Sequence, residues 1–241
     1  MFTFSSPLAL PDSPFFTAAG LTSGSLLLAG CQFEQQHWQA DLHQRWQLPL
    51  PAALANAVVK RKSEHLASRW LAREVLLQLG VEGFVLRNAA DRSPCWPAGI
   101  QASLSHSHNQ VVMAATREPL CVGVDVEQVM SNDTARETAE MLMNTQERQL
   151  LEQLALPFAQ GATLLFSLKE SLYKALWPQL HQPMDFLQAA LCAADLTTGS
   201  AVLRLTADFG NGFNQDVALQ ARFCCEAQRI ITLVTHPLAG Q

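Results

Sequence analysis

The periodicity of the chain changes repeatedly along its length, and this pattern constrains the fold more than any other feature. Three stretches, 60–79, 132–154 and 163–177, have the pattern of helices. Runs outside them alternate like strands, most clearly at 201–206 and 230–235. Helical and strand-like stretches do not alternate regularly. The sequence therefore predicts an α+β fold rather than a doubly wound parallel sheet.

Composition is that of a well-packed chain. Of its 241 residues, 49% are apolar and 15% are charged, which excludes disordered and disulfide-scaffold proteins. Further strands are predicted at 102–105, 111–116 and 121–126. The polar segment 117–119 precedes the last of these. We therefore predict two halves, residues 1–117 and 118–241.

Charge and cysteine usage exclude several classes of partner. The net charge of −5 argues against a sequence-independent nucleic-acid binder. The six cysteines have no disulfide or zinc spacing, so we expect reduced, mostly buried thiols in a cytoplasmic protein. No apolar run reaches the ~20 residues of a membrane span. Segment 26–31 resembles a lipoprotein cleavage box, but the first basic residue is Arg45, so a buried strand is predicted there.

Positive charge is concentrated in one region. Eight of the 16 Lys and Arg residues lie between Arg45 and Arg92, among four acidic residues. A helix is predicted at 60–79, with Ser63 as its N-cap and Gly80 ending it. One stripe of this helix carries Lys62, His65, Arg69 and Arg73. The stripe is either a solvated face or a site for a phosphorylated ligand, since Arg binds phosphate bidentately.

Two acidic residues share a strand face in the segment Gly-Val-Asp-Val-Glu, 123–127. Alternation along a strand points Asp125 and Glu127 to the same side. Such carboxylates repel each other unless water or a cation separates them, and hard oxygen ligands suit Mg²⁺ or Mn²⁺. The alternative is a half-exposed strand with a solvated acidic face.

The helix predicted at 163–177 carries a second group of charged residues. Glu170 and Lys174 stand four residues apart on its polar arc, which by default is a surface ion pair. Lys169 falls inside the apolar arc instead. A lysine on the buried side needs an anion or a route to water, so this helix is more than an ordinary surface helix.

A third candidate segment holds adjacent serine and histidine residues. Ser105 and His106 point to opposite faces of a strand, so they cannot form a nucleophile–base pair. His106 and His108 share a face and could bind a transition metal, as in a metallohydrolase that also uses Asp125 and Glu170. They could equally be hydrogen-bonding groups at the end of a strand.

Taken in this order, the segments resemble the 4'-phosphopantetheinyl transferase superfamily in its Sfp-type branch. Residues 123–127 match the family signature Gly-Ile/Val-Asp-x-Glu. Residues 166–174 match Phe/Trp-x-x-Lys-Glu-Ser/Ala-x-x-Lys. Ser105 and His106 match the family's Ser-His step, and 92–97 its proline loop. Segment 61–69 is similar to the siderophore-type members, those of enterobactin synthesis.

The resemblance implies a fold and a reaction. It implies two similar α/β-rich halves, related by a pseudo-twofold axis, with coenzyme A in the cleft between them. The first half would hold the adenine and 3'-phosphate end, and the second half would hold the metal. Phosphopantetheine would pass to a serine of an apo acyl, peptidyl or aryl carrier protein, with release of adenosine 3',5'-bisphosphate. A monomer would suffice, because one chain encloses the site.

The resemblance also implies roles for individual residues. Asp125, Glu127 and Glu170 would bind Mg²⁺, or Mn²⁺, against the pyrophosphate. Glu170 would be the base and Lys174 would stabilise the leaving group, whereas Lys169 is a catalytic candidate that either contacts phosphate or supports the site. The predicted contacts to coenzyme A are Arg61, Lys62, Arg69, Arg73, Arg92, Ser105, His106, Asp125 and Lys174, with Arg69 favoured among the helix residues. Ser171 replaces the commoner alanine and is expected at the polar edge.

Two further expectations concern partners and alternatives. The carrier protein is expected to dock beside the cleft, where Met141, Leu142 and Met143 form either an apolar patch or part of the core. Besides the metallohydrolase, the remaining alternative is a binding module for coenzyme A or carrier protein that has lost turnover.

Overall fold

The computed structural model describes residues 4–238, which form a mixed α/β structure. Its contacts separate two units, one ending at Glu118 and the other beginning at Pro119. Each unit contains a five-stranded antiparallel sheet and a long helix packed against two of its strands. The predicted α+β class is therefore confirmed.

The first unit builds its sheet in the order β1-β2-β3-β7-β6. Its strands are β1 (Ser6–Pro7), β2 (Phe16–Leu21), β3 (Leu26–Phe33), β4 (Arg87–Asn88), β5 (Pro94–Cys95), β6 (Gln101–Ser107) and β7 (Gln110–Thr116), with β4 and β5 forming a separate pair. Its helices are α1 (Leu42–Arg45) and α2 (Val59–Gln78), with short 3₁₀ turns at Gln35–His37 and Ala52–Leu54. Strand β3 lies between β2 and β7, which confirms the buried strand predicted at 26–31.

Helix α2 begins earlier than predicted and ends where predicted. Its N-cap is Val58, and Ser63 is buried inside the helix, so the predicted cap is wrong. The first turn already closes when Lys62 N donates to Val58 O at 3.2 Å. Gly80 has a φ of 72°, the left-handed conformation that glycine adopts easily after a helix. The bond from Val81 N to Leu76 O at 2.9 Å closes this end.

The second unit has the sheet order β8-β12-β11-β10-β9. Its strands are β8 (Leu120–Gln128), β9 (Ala189–Asp195), β10 (Ser200–Leu205), β11 (Ala218–Cys225) and β12 (Arg229–Pro237), and its helices are α3 (Asn132–Leu142), α4 (Thr145–Gln153) and α5 (Phe158–Leu180). A 3₁₀ turn at Phe186–Gln188 leads into β9. In both units the strand before the helical segment pairs with the last strand, β3 with β7 and β8 with β12. This shared topology fits two similar halves.

The single helix predicted at 132–154 is two helices, α3 and α4. They separate because Asn144 forms a capping box with Glu147. The Asn144 side chain accepts from Glu147 N, and Glu147 Oε2 accepts from Asn144 N, both at 2.9 Å. Satisfying these backbone groups starts a new helix, whereas the apolar period alone suggested continuity.

Helix α5 lies unusually close to β8. A Cβ atom at Gly123 would stand 1.8 Å from Ser171 O and 2.5 Å from Ala175 N, so only glycine fits at this crossing. Ser171 is buried, and its expected place at the polar edge is wrong. The arc of α5 predicted as polar and exposed contacts the sheet instead, because Asp125 and Thr232 supply partners for its hydroxyl groups.

The cysteines are less buried than expected. All six are free thiols, and only Cys31 and Cys121 are buried, while Cys95 and Cys192 are exposed. Within residues 4–238, every helix is too short or too polar to cross a membrane.

Candidate active site

Asp125 lies at the centre of the predicted metal site. Strand β8 places it against α5, where its side chain is almost completely buried. Lys174 Nζ lies 2.6 Å from Asp125 Oδ1, and Ser167 Oγ donates to Asp125 Oδ2 at 2.8 Å. Both carboxylate oxygens therefore have a donor from α5. Lys174 contacts the buried carboxylate of Asp125. It is therefore not simply one half of a surface ion pair with Glu170, which was the default expectation.

A group of buried hydroxyls extends from Ser167. Ser167 Oγ is 2.9 Å from Thr232 Oγ1, which in turn is 2.6 Å from Ser171 Oγ. Thr232 stands opposite Asp125 in the pairing of β12 with β8. The sequence analysis missed Ser167 and Thr232 as site residues. Ser167 lay inside a recognised motif, but Thr232 is 65 positions away from it and offered no local signal.

Glu170 is half-buried, and its surroundings alter its acidity. Burial raises the pKa of its carboxyl above the ordinary value, Lys174 opposes this rise, and the Asp125 carboxylate adds to it. The structure brings Lys174 and Asp125, from two of the predicted motifs, into contact, and Glu170 lies one helical turn before Lys174 on α5.

The acidic residues fit a divalent cation by their chemistry. Glu127 is half-buried two positions along β8 from Asp125, while Glu170 and Asp125 repel each other. A cation held by such oxygen ligands relieves this repulsion, and Mg²⁺ suits carboxylates. Among residues 4–238, however, no three His, Cys, Asp or Glu side chains are gathered closely enough to enclose an ion. In the described part of the chain the three predicted ligands are therefore not gathered into one metal-binding group, and Lys174 contacts Asp125.

Lys169 points into the interior of the second unit. Its Nζ lies 2.8 Å from Glu147 Oε1 and donates to Leu142 O at 2.8 Å. The side chains of the pair are only 2% and 1% exposed. Burial lowers the pKa of Lys169, and Glu147 opposes this effect. Glu147 is thus the anion that a lysine on the buried side requires, and these contacts favour support of the site over phosphate contact.

Glu147 also connects the elements around α5. Its Oε1 accepts from Leu191 N in β9 at 2.9 Å, while its Oε2 completes the capping box of α4. A single buried carboxylate therefore joins α4, α5 and β9. No periodicity marked Glu147 as special, although its place three residues after Asn144 is a recognisable capping signal.

A cavity opens beside Glu170. Tyr173, Met184 and Phe186 line it together with the chain around Lys169. The three residues considered for carrier docking, 141–143, differ in their exposure to solvent. Met141 is 61% exposed, whereas Leu142 and Met143 belong to the core. The docking prediction therefore retains only Met141 of its three residues.

In the first unit, Arg61 and His106 come together. Arg61 donates to His106 Nε2 at 3.2 Å, although 45 residues separate them. Buried Glu64 lies 3.3 Å from the Arg61 guanidinium and 3.8 Å from His106 Nδ1. The sequence analysis did not single out Glu64. Arg61 lies outside the stripe of Lys62, His65, Arg69 and Arg73, and because its side chain remains 53% exposed, a ligand in solution can reach its guanidinium.

The favoured Arg69 is more enclosed than expected. It donates to Leu86 O at 3.3 Å and to the side chain of Asn88. Burial and the neighbouring Arg61 lower the pKa of Arg69 to about 10. Two guanidinium groups that repel each other suit an anion between or beside them.

The other members of the basic stripe have structural partners. Arg73 donates to Trp46 O at 2.6 Å, and Lys62 lies 5.6 Å from the centre of the Trp38 ring. His65 is buried, and burial lowers its pKa to about 3, so it is neutral at ordinary pH. The stripe is therefore neither wholly solvated nor wholly a ligand site.

The remaining candidates lie around two loops. Arg92 is exposed and has a φ of 71° in the loop between β4 and β5, where Asn88 donates to its carbonyl at 2.7 Å. Ser105 is buried in β6. His108, at the β6–β7 turn, has a φ of 55°. Within residues 4–238 neither His106 nor His108 belongs to a group of three or more His, Cys, Asp or Glu side chains that could hold a metal ion.

Comparison with known proteins identifies two matching family models. The 4'-phosphopantetheinyl transferase N-terminal domain matches residues 50–116, and the 4'-phosphopantetheinyl transferase superfamily model matches residues 121–229. Together these segments cover most of the chain. They include every predicted site residue from Arg61 to Lys174.

Individual relatives agree with these models. The chain is 42% identical over 128 residues to enterobactin synthase component D of Salmonella typhi, which is 53% of each protein. It is 38% identical to enterobactin synthase component D of Escherichia coli K12, over 53% of this chain and 61% of that protein. The 4'-phosphopantetheinyl transferase Svp of Streptomyces mobaraensis is 32% identical over 64% of this chain and 63% of its own. The match thus spans little more than half the length of the enterobactin relatives, and it confirms the predicted siderophore-type resemblance.

Proposed function

Because the chain belongs to the 4'-phosphopantetheinyl transferase superfamily, we propose that it transfers phosphopantetheine from coenzyme A to a serine of an apo carrier protein. Adenosine 3',5'-bisphosphate is the second product. The observation that carries this proposal is the contact of Lys174 Nζ with the buried Asp125 carboxylate at 2.6 Å, on the same helix that carries Glu170. Charge neutralisation of this kind is what phosphoryl transfer requires.

Asp125, Glu127 and Glu170 would hold Mg²⁺, or Mn²⁺ in its place. When bound, the cation would neutralise negative charge on the pyrophosphate of coenzyme A. The raised pKa of Glu170 and the burial of Asp125 support this assignment, because a bound cation would stabilise the ionised form of each carboxylate. The requirement for a metal is part of the proposal.

Glu170 and Lys174 would perform the proton and charge steps. In the reaction, the carrier serine Oγ bonds to the β-phosphorus of coenzyme A, and the bond from that phosphorus to the bridging oxygen breaks. Glu170 would take the serine proton directly or through a water. Lys174 would stabilise the charge on the departing adenosine bisphosphate. Lys169 would act from within, by holding α5 in place through Glu147.

The cationic residues of the first unit would bind the nucleotide end of coenzyme A. Arg61 and His106 are the leading candidates for the 3'-phosphate, because they lie together and Arg61 is exposed. Arg69 and Ser105 would support them, and Arg92 would hold the adenine from its loop. Lys62 and Arg73 remain weaker candidates, since Trp38 and Trp46 already engage them.

We also propose the domain assignment that goes with these roles. Residues 1–117 would form the nucleotide half and 118–241 the metal half. A monomer would then contain the whole site, and the free cysteines suit a cytoplasmic protein. Acyl, peptidyl and aryl carrier proteins are all candidate substrates, with siderophore-synthetase carriers favoured by the enterobactin relatives.

The test is a transfer assay with purified protein, coenzyme A, Mg²⁺ and apo carrier protein, read by mass spectrometry of the carrier. A mass increase of one phosphopantetheine group, absent without Mg²⁺, supports the proposal. Adenosine bisphosphate without a carrier adduct would indicate a hydrolase, and binding of coenzyme A without either product would indicate a binding module. Fatty-acid and peptide-synthetase carriers assayed side by side identify the preferred substrate.

A further inference from the structure

We infer that Ser167 is a positioning residue for Asp125, and that Thr232 holds Ser167 in the required orientation. Neither residue was among the predicted site residues. The inference rests on the proposed function, because the orientation of Asp125 affects turnover only if that carboxylate takes part. It concerns Oδ2 of Asp125, whereas Lys174 contacts Oδ1.

The direction of each hydrogen bond follows from the number of hydrogens. A hydroxyl has one hydrogen to donate, and that of Ser167 goes to Asp125 Oδ2 at 2.8 Å. The Thr232 hydroxyl donates to the carbonyl oxygen of Ser167 at 2.8 Å and lies 2.9 Å from Ser167 Oγ. Ser171 Oγ donates towards Thr232, whose hydroxyl and carbonyl oxygens lie at 2.6 and 3.1 Å. The three side chains form a connected chain, in which only the Ser167 hydroxyl reaches the carboxylate and Thr232 holds the backbone of Ser167.

Burial makes this chain difficult to replace with water. Ser167, Ser171 and Thr232 are all 0% exposed. A hydrogen bond to a charged acceptor is stronger than one between neutral groups, and low local polarity strengthens it further. An acceptor that loses such a partner in the interior is left unsatisfied. The hydroxyls therefore have a defined effect on Asp125 rather than a packing role alone.

The two oxygens of Asp125 differ as a result. Oδ2 is bound to Ser167, a group fixed by α5 and β12, while Oδ1 contacts Lys174, whose side chain is 27% exposed and able to move. Ser167 thus fixes the plane of the carboxylate and leaves Oδ1 as the exchangeable oxygen. Without the Ser167 hydroxyl, the terminal torsion of Asp125 has a broad energy well, and its affinity for a divalent cation should fall.

The experiment compares four variants by Mn²⁺ binding, measured by electron paramagnetic resonance on the purified chain without coenzyme A. Ser167→Ala and Thr232→Val each remove a hydroxyl, and Thr232→Ser keeps the hydroxyl while removing the methyl group. We expect Mn²⁺ affinity to fall about tenfold in the first two, in line with outer-shell partners of metal sites. Thr232→Ser should remain within about twofold of the parent chain. Ser171→Ala should have a smaller effect than Ser167→Ala, since it does not touch Asp125.

A second readout is the Mg²⁺ dependence of carrier modification. Ser167→Ala and Thr232→Val should each need about tenfold more Mg²⁺ for half-maximal rate, while the KM for coenzyme A changes little. Thermal unfolding accompanies each measurement. If Ser167→Ala does not fold, the pair Thr232→Val and Thr232→Ser decides the question.

Two results would overturn the inference while leaving the proposed function intact. One is unchanged Mn²⁺ affinity in Ser167→Ala and Thr232→Val when the parent chain binds Mn²⁺ and modifies the carrier. The other is equal loss in Thr232→Ser and Thr232→Val, which would show that packing rather than the hydroxyl matters. Failure of the parent chain itself to bind Mn²⁺ and to modify any carrier would overturn both.

Discussion

Helix α5 carries two lysines, five positions apart, that each contact a buried carboxylate in different surroundings. The Lys169–Glu147 pair is dry on both sides, with side chains 2% and 1% exposed. In the Lys174–Asp125 pair the lysine is 27% exposed and the aspartate 2%. The dry pair, Lys169–Glu147, holds α4, α5 and β9 together. The half-open pair, Lys174–Asp125, has a lysine that solvent reaches and that is free to move away from its partner. The same two residue types therefore give a structural link at one position and a candidate reactive group at the other.

The largest expected effect is on stability, at the dry pair. Lys169→Met leaves Glu147 charged and buried without its partner, which costs about 3–5 kcal/mol of unfolding free energy. Denaturant unfolding measures this loss. Below the unfolding transition, kcat should stay within about threefold of the parent value, since Lys169 touches no substrate in our proposal. A stable but inactive Lys169→Met chain would make Lys169 a catalytic residue after all.

The next effect is on turnover, at the half-open pair. Lys174→Met should lower kcat about a hundredfold, as expected when a group that stabilises transition-state charge is removed. Its cost in stability should be smaller than that of Lys169→Met, because water reaches the Asp125 side vacated by Lys174. Steady-state assays of carrier modification, with melting curves as control, test both parts. The comparison breaks down if Lys174→Met unfolds the chain while Lys169→Met leaves it stable.

A double variant sharpens the reading of the dry pair. Glu147→Gln combined with Lys169→Met removes both charges and keeps a side-chain oxygen for Leu191 N or Asn144 N. We expect it to recover about 1–2 kcal/mol of the loss in Lys169→Met alone, because the unpaired buried charge is gone. Chemical denaturation of the four members of the cycle gives the coupling energy. Additive losses would mean that the two side chains do not act as a pair.

A smaller effect is expected on the pH dependence of kcat, which should change when Lys174 is replaced but not when Lys169 is replaced. Glu170 must be ionised to act as a base, so the rate should rise with pH through its folded-state pKa, which burial and Asp125 raise above the ordinary value. Lys174 lowers that pKa, so Lys174→Met should shift the acid limb of kcat to higher pH. Lys169→Met should leave the limb in place.

The same shift has a consequence for stability, with the opposite dependence on pH. Because the folded-state pKa of Glu170 is raised, the folded state holds its proton more tightly than the unfolded chain does. Glu170 therefore contributes fully to the free energy of unfolding at pH values below its pKa in the unfolded chain. This contribution is lost as pH rises through its pKa in the folded state. Glu170→Gln removes this loss and should gain stability relative to the parent chain above that window. Melting temperatures across acidic to neutral pH test the sign.

The smallest effect is expected at an exposed pair, which completes the comparison. Arg204 and Asp216 lie 3.7 Å apart with side chains 48% and 71% exposed. Asp216→Asn should change stability by no more than about 0.5 kcal/mol, because solvent screens exposed charges. Asparagine also tolerates the φ of 69° at this position. A loss near that of Lys169→Met would contradict burial as the deciding variable.

Much of the secondary structure was predictable from the sequence, because it depends on neighbours a few positions apart. The strands around 102–105, 111–116 and 201–206 were recognised. Strands β6 and β7 extend beyond the predicted ranges by a residue or two, and β10 begins and ends one residue earlier than predicted. The end of α2 at Gly80 was also correct. The break between α3 and α4 was missed although its capping signal is local, because the apolar period continued across Asn144.

The candidate site was predictable only in part. The motif residues Asp125 and Lys174 are in contact, and Glu170 lies one helical turn before Lys174 on α5, while the roles predicted for all three stay predictions. The helical wheel correctly set Lys169 apart but gave no partner for it, since Glu147 lies on another helix. The basic stripe of α2 was treated as one surface, yet the structure joins Arg61 to His106 in β6 and encloses Arg69.

The sequence by itself determined the class of fold and the residues able to carry the chemistry, since periodicity and short motifs are properties of neighbouring positions. Glycine at 123 is part of one of these motifs, and the reason for it, the close approach of α5 to β8, is visible only in three dimensions. Tertiary structure alone decided which lysine is buried, which oxygen of Asp125 is fixed and which arginine stays exposed. The physical reason is that a buried charge is stabilised by the groups that the fold places against it. For Asp125 and Lys169 such partners, Ser167 and Glu147, lie 42 and 22 positions away along the chain.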